Sequence, residues 1–340
     1  MRRSMKRIAI AVLTGVALFL ALGTAYEQWS RRQVVRSLPA PGRLIDVDGV
    51  RLHLHCSGQG SPTVILEAGT GPAASMAWSE VQPSVAEFTR VCSYDRAGLM
   101  WSDRGNGSRD AEHIAADLHA LLSAAAVLPP YVLVGHSIGS VYIRVFADRF
   151  PDEVVGLVFV DASHPDQWQR FPPELARRAR VPARALFVGP LLAQTGVLRM
   201  RGGVPLRQLP ADVGTIVNAY LPRSVAALLA ESEAQDMSML QARQTGAFDS
   251  LPLVVLTSGR DPEAFPPGVT PALQTQFRRL WIELHEELAT LSINADHRVI
   301  EDSGHFIQFD APAAVTNAVR DVVTAVRTGG SVTSLSARRS

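Results

Sequence analysis

Nine residues, Val132-Leu133-Val134-Gly135-His136-Ser137-Ile138-Gly139-Ser140, constrain this chain more than any other stretch. Three branched apolar residues predict a buried strand, and a helical pattern begins at about Ile138. Between them stands Gly-His-Ser-Ile-Gly, which matches the Gly-x-Ser-x-Gly pattern of a nucleophile elbow. The spacing has a physical reason. A serine on a strained strand-to-helix turn crowds the residues two positions before and after it, so both must lack a Cβ. Such a turn lifts the hydroxyl above the sheet. It also aims the N–H groups and positive dipole end of the next helix at an oxyanion forming there.

At 340 residues the chain has length for one large α/β domain with an insertion. Charged residues make up 19% and the net charge is +1, so nothing points to electrostatic capture of nucleic acid. Two cysteines, Cys56 and Cys92, are too few for a disulfide scaffold or a four-cysteine zinc site. The nine histidines form no His-Glu-x-x-His motif, and His53 and His55 share a strand face without a third ligand nearby. No metal site is expected.

Residues 1–26 predict a membrane anchor or a signal sequence. Arg2, Arg3, Lys6 and Arg7 precede an uncharged stretch from Ile8 to Tyr26. Those 19 residues would span about 28 Å as a helix, close to the roughly 30 Å of a bilayer core. Gly23-Thr24-Ala25 would serve as a signal cleavage site, but the length and the basic continuation at Arg31, Arg32 and Arg36 favour an uncleaved anchor. Either way the domain belongs outside the cytoplasm, because the short basic N-terminus tends to stay inside. Cleavage would make it secreted.

Residues 27–42 look like a polar tether. Arg43–Val47 and Val50–Cys56 flank Asp48-Gly49, a two-residue hairpin signal. Short apolar strands are then expected at Thr63–Glu67, Arg90–Tyr94, Val132–Val134, Gly156–Val160, Leu251–Thr257 and Arg298–Ile300, with helical patterns between them. That alternation predicts a mostly parallel sheet with helices on both faces. It breaks between about 163 and 250, where helical patterns and prolines imply a cap inserted above the sheet. Within the cap, Ala185–Met200 is strongly apolar, either as a helix packed on the domain or as a surface meeting lipid or a greasy substrate. Residues 328–340 form a polar tail expected to be disordered.

A serine hydroxyl needs a base within hydrogen-bond reach, and the base needs an acid to orient it. With a Gly-x-Ser-x-Gly nucleophile the chain order is Ser, Asp, His. His305, in Ser303-Gly304-His305-Phe306, follows the last expected strand and is the candidate base. Asp261 follows Leu253–Thr257 and is the candidate acid. Asp161, ending the strand before the insertion, is the rival, and Asp302 sits too near His305 in sequence to be favoured. The oxyanion hole is expected from the N–H groups of Ile138 and of Thr70, in the Gly69-Thr70-Gly71 turn after Thr63–Glu67.

With these pieces placed, the chain resembles the α/β-hydrolase superfamily across roughly residues 43 to 327. Tyr94-Asp95-Arg96-Ala97-Gly98, Val160-Asp161-Ala162-Ser163-His164-Pro165 and Ser303-Gly304-His305 support the resemblance beyond the elbow. It implies an eight-stranded, mostly parallel sheet, a cap after the sixth strand, and hydrolysis without a cofactor. Two departures stand out. Ala68-Gly69 replaces a His-Gly pair frequent at the oxyanion loop, and Met100 occupies a position where a second glycine is common. Members with an aspartate nucleophile open epoxides or remove halides, and Ser137 argues against both. The resemblance also makes the strands of Cys56 and Cys92 neighbours, so they form either a disulfide or two buried thiols.

The expectation is a serine hydrolase acting on a carboxylic ester or related acyl compound, with a small, hydrophobic acyl substrate. A peracid-forming or haloperoxidase activity, amide, lactone or C–C cleavage, and a non-catalytic binding module are the alternatives.

Overall fold

The computed structural model describes residues 2–179, 183–206, 208–260 and 269–333. Eight strands form one sheet in the order β1-β2-β4-β3-β5-β6-β7-β8. They are β1 (Arg43–Val47), β2 (Val50–Ser57), β3 (Thr63–Glu67), β4 (Val91–Tyr94), β5 (Tyr131–His136), β6 (Val154–Val160), β7 (Leu253–Ser258) and β8 (Ala295–Ile300). The β1–β2 hairpin turns on Asp48 and Gly49, both at positive φ, as a two-residue turn requires. β2 runs antiparallel to both neighbours, and β3 through β8 are parallel.

The central strands are apolar throughout because both of their faces are covered. Ile65, Leu133, Leu157, Phe159 and Val255 pack on one side, with helices Ala111–Ala124 and Gly139–Arg149. Val64, Leu66, Val132, Val134, Val158 and Leu256 pack on the other, with Val315, Val319 and Val322 of helix Pro312–Thr328. Cys56 and Cys92 lie directly opposite each other across the β2–β4 pair and form a disulfide.

The insertion after β6 is helical, with no strand among its described residues. Its long helix, Ala211–Glu233, sets Val213, Val217 and Tyr220 against Leu99, Met100 and Trp101 of the loop after β4. The following helix, Gln235–Arg243, returns Met239 and Ala242 to the main core.

Two expectations about the ends are corrected. The N-terminal helix runs from Arg2 to Ser37, so residues 27–37 continue it rather than forming a tether. No proline occurs before Pro39 and no glycine between Gly23 and Gly42, and its polar face finds partners on the cap. Glu27 and Ser30 are buried, while Val34 and Leu38 pack with the Val213 and Tyr220 cluster. At the other end, Val332 is buried and its N–H donates to Asn294 Oδ1 at 3.0 Å, so the start of the expected loose tail is docked. Residues 334–340 lie outside the described residues.

Candidate active site

Ser137 directly follows β5 at φ +53°, the left-handed conformation the elbow demands. The two glycines around it are steric necessities. A Cβ at Gly135 would sit 2.7 Å from Ser140 N, and one at Gly139 would sit 2.7 Å from the Glu67 and Ala68 carbonyl oxygens. Backbone bonds clamp the turn: Ser137 N donates to Val160 O at 3.1 Å, and Ser163 N donates to Ser137 O at 3.0 Å.

His305, on the loop after β8, brings Nε2 to 3.2 Å from Ser137 Oγ. Its Nδ1 lies 2.6 Å from Asp161 Oδ2. An ionised carboxylate only accepts, so Nδ1 carries the proton and Nε2 presents its lone pair to the serine hydroxyl. The base predicted at His305 is therefore in contact with Ser137.

The acid is corrected. Asp161, at the end of β6, occupies the position assigned to Asp261; Asp261 itself lies outside the described residues. Asp161 Oδ1 accepts from Ser258 N at 2.7 Å and from Trp281 Nε1 at 3.0 Å, so both carboxylate oxygens are engaged. Burial alone would raise its pKa. The hydrogen bond and charge of His305, the nearby His285 and the Ser258 amide outweigh burial and hold the carboxyl well below the usual carboxylate range. Asp161 thus stays ionised beside the imidazole.

Three supporting residues, Trp281, His136 and Asp310, escaped the sequence reading. Trp281 sits in helix Pro271–Ala289, where nothing local marks it as a carboxylate partner. His136, inside the elbow motif, directs Nε2 to His305 O at 2.9 Å and so fixes the backbone of the histidine loop. Burial, helped by the neighbouring His305, pushes His136 down to about 3, so it is neutral. Asp310 shapes that loop: it accepts from Gly304 N at 2.8 Å and pairs with Arg260 at 2.6 Å.

The Ala68-Gly69-Thr70 turn passes directly over the elbow. A Cβ on Gly69 would be 2.9 Å from Ser137 Cβ and 2.8 Å from His136 Nδ1. Arg96, almost fully buried, donates to Ala68 O at 2.7 Å and Gly69 O at 3.1 Å. A trans peptide points its N–H opposite to its carbonyl. Arg96 therefore turns the Thr70 N–H away from itself.

The same guanidinium pairs with Glu67 at 2.6 Å and with Glu231 of the cap at 2.8 Å, while the Tyr94 hydroxyl donates to Glu67. Burial lifts Glu67 to about 6 against the lowering pull of Arg96 and Tyr94. Beside this turn lies a cavity of about 210 Å³ with a mainly apolar wall that includes Ala77, Leu206, Leu209, Phe306 and Phe309.

No cluster of His, Cys, Asp and Glu able to hold a metal occurs among the described residues.

Residues 52–318 match the family model described as the alpha/beta hydrolase family. An uncharacterized protein of Schizosaccharomyces pombe is 31% identical over 67% of this chain, which spans 48% of that relative's length. The chain covers 89% of the uncharacterized protein YqjL of Bacillus subtilis, with 25% identity over 81% of its own residues. Among solved structures, a thermophilic esterase from Thermogutta terrifontis superposes with a TM-score of 0.57, at 24% identity and over 83% of this chain and 97% of the esterase. That last likeness is one of fold.

Proposed function

The chain belongs to the alpha/beta hydrolase family, and from that premise we propose that it is a serine hydrolase cleaving a carboxylic ester or related acyl bond. One observation carries the reading: Ser137 Oγ, His305 and Asp161 form an unbroken hydrogen-bonded series. Ser137 Oγ attacks the carbonyl as His305 Nε2 takes its proton, and Asp161 stabilises the imidazolium. The N–H groups of Thr70 and Ile138 receive the oxyanion, the first oriented through Arg96 and the second at the start of helix Gly139–Arg149. His305 then protonates the leaving alcohol, and water repeats the cycle on the acyl-enzyme. The small apolar cavity beside Thr70 is the acyl pocket in this reading.

The N-terminal helix is assigned as a membrane anchor with the catalytic domain outside the cytoplasm. Its mean hydropathy of 2.3, over a window only 6% buried, supports the first part. The basic N-terminus and the Cys56–Cys92 disulfide, a bond of oxidising compartments, support the second.

Fluorophosphonate labelling of the full chain in detergent, alongside p-nitrophenyl esters of rising chain length, tests the activity. Labelling is expected to vanish in Ser137→Ala and to fall at least 100-fold in rate in His305→Ala. A folded wild type that neither labels nor turns over any ester overturns the enzyme reading.

A further inference from the structure

The apolar stretch of the cap folds as helix Ala183–Gln194 and the short turn Val197–Met200, separated by Gly196 at φ +72°. Val188, Leu191 and Leu192 are 49%, 56% and 41% exposed. Their i, i+3, i+4 spacing puts them on one helix face. Met200 and Val204 are exposed close behind them in sequence. These side chains cover neither the sheet nor the triad.

The N-terminal helix docks on this same part of the cap. Gly23 lies so close that a Cβ there would be 2.4 Å from Thr195 O, and the Tyr26 ring lies against Gly196. Glu27, fully buried, accepts two bonds from Arg199 at 3.0 Å and one from Arg31 at 2.9 Å. Gly23 is inside the uncharged stretch Ile8–Tyr26, about 4.5 Å of helix short of its end. The cap therefore touches the helix at the depth of its apolar segment.

Beyond that depth the helix changes character in the order of a bilayer profile. Tyr26 and Trp29 come first, 39% and 58% exposed, the amphipathic aromatics favoured at a membrane interface. Next is a cavity of about 250 Å³ lined by Arg31, Arg104, Arg199 and Arg223 together with Asp103. Arg31 follows Tyr26 by about 7.5 Å of helix, comparable with the thickness of one headgroup layer. Arg31 and Arg199 share Glu27 and Arg223 pairs with Asp103, and the excess of positive charge that these arginines and Arg104 leave at that depth suits lipid phosphates.

We propose that the cap is a second membrane contact, with Val188, Leu191, Leu192, Met200 and Val204 embedded in the leaflet from which the N-terminal helix emerges. This rests on the reading of that helix as a membrane span. It also narrows the substrate to an acyl ester partitioned into the bilayer. The loop that carries Val204 outward continues to Leu206 and Leu209, which line the cavity beside Gly69 and Thr70. An ester leaving the acyl chains beside Val204 would meet Leu206 and Leu209 on its way to that cavity.

The test uses the full chain in vesicles of phosphatidylcholine and phosphatidylglycerol with brominated acyl chains as quencher. Cys56 and Cys92 are joined to each other, so a bimane label reports one introduced thiol in each of Leu18→Cys, Leu191→Cys and Leu128→Cys. Leu18 and Leu191 are more than half exposed, and Leu128, 73% exposed, lies just before the opposite end of β5 from Ser137. Quenching of at least three-fold at positions 18 and 191, with none at 128, is the expected result. Quenching at 18 but not at 191 overturns the cap contact and leaves the anchor standing. No quenching at 18 overturns the anchor, and the cap proposal with it.

Discussion

The edge of the sheet that carries Ser137 and the cap above it are held in different ways. At the sheet edge, two non-glycine residues at the ends of adjacent parallel strands, Ser137 and Asp161, have φ of +53° and +42°. Such conformations cost of order 1–3 kcal/mol each and persist only where their surroundings over-determine them. Here those surroundings are fully buried strands, glycines at which an added Cβ would come within 3 Å of neighbouring backbone, and backbone bonds from Ser137 N to Val160 O and from Asp161 N to Leu256 O. The cap has a smaller apolar cluster and is fastened by polar clasps to distant parts of the chain. Arg96 grips Glu231, Arg199 grips Glu27, and Tyr220 OH donates to Leu38 O, which also accepts from Trp101 Nε1 of the loop after β4. The edge is rigid through many redundant contacts, whereas the cap depends on a few that single substitutions remove.

The largest expected effect tests the edge. Asp161→Asn removes the acceptor that sets the tautomer of His305 and should lower kcat on an ester about 10⁴-fold. Asp261→Asn should stay within about three-fold of wild type, a bound set by the absence of any role for it in the mechanism above. The reverse pattern in steady-state kinetics would return the acid to Asp261. Next in size is the clasp between the two regions. Arg96→Met leaves Glu67 and Glu231 buried without their cation and should cost about 3–5 kcal/mol in urea unfolding. It should also lower kcat, because the Ala68 and Gly69 carbonyls lose their donors. Glu231→Gln keeps Arg96 on the oxyanion turn and should cost only about 1–3 kcal/mol. Equal losses from both variants would mean that Arg96 does not join cap and turn.

The same contrast explains what could be read from the amino-acid sequence. Strands β3 to β7 declare themselves because strands buried on both faces are mostly apolar runs, and the elbow declares itself because Gly135, Ser137 and Gly139 are neighbours; β8, half-buried and carrying Asp296, His297 and Arg298, shows only its end from Arg298 to Ile300. His305 follows from its place after the last strand. The choice between Asp161 and Asp261 is not local. Both follow strands, and it is Ser258 N and Trp281 Nε1, from other elements, that hold the Asp161 carboxylate where His305 reaches it. Residues 27–37 resemble a tether because they are polar, and it is docking on the cap that buries Glu27 and Ser30 and adds Arg199 to Arg31 as a partner of Glu27. Arg96 and Glu231 are 135 residues apart, beyond the reach of any motif.

The smallest of these effects compares a histidine of the edge with one of the cap. His136 is buried, its Nε2 bonded to His305 O, and burial with the nearby His305 pushes it down to about 3. An unfolded histidine titrates near 6.5. Because the folded value is depressed, the contribution of His136 to stability is complete above about pH 6.5 and is lost as pH falls toward 3. Within that window each pH unit costs about 1.4 kcal/mol, so acidification from pH 7 to pH 5 should remove about 2 kcal/mol. His136→Gln retains an amide donor for the His305 carbonyl but takes up no proton. Urea unfolding in detergent should therefore show a shallower decline for His136→Gln than for wild type over that range. In the cap, burial pushes His164 down only to about 4, with Glu287 opposing the shift from 3.6 Å away. His164→Gln should flatten the decline less. If instead the His136→Gln and wild-type curves run parallel, the imidazole of the elbow takes up its proton in the folded protein, and the edge is looser than its packing implies.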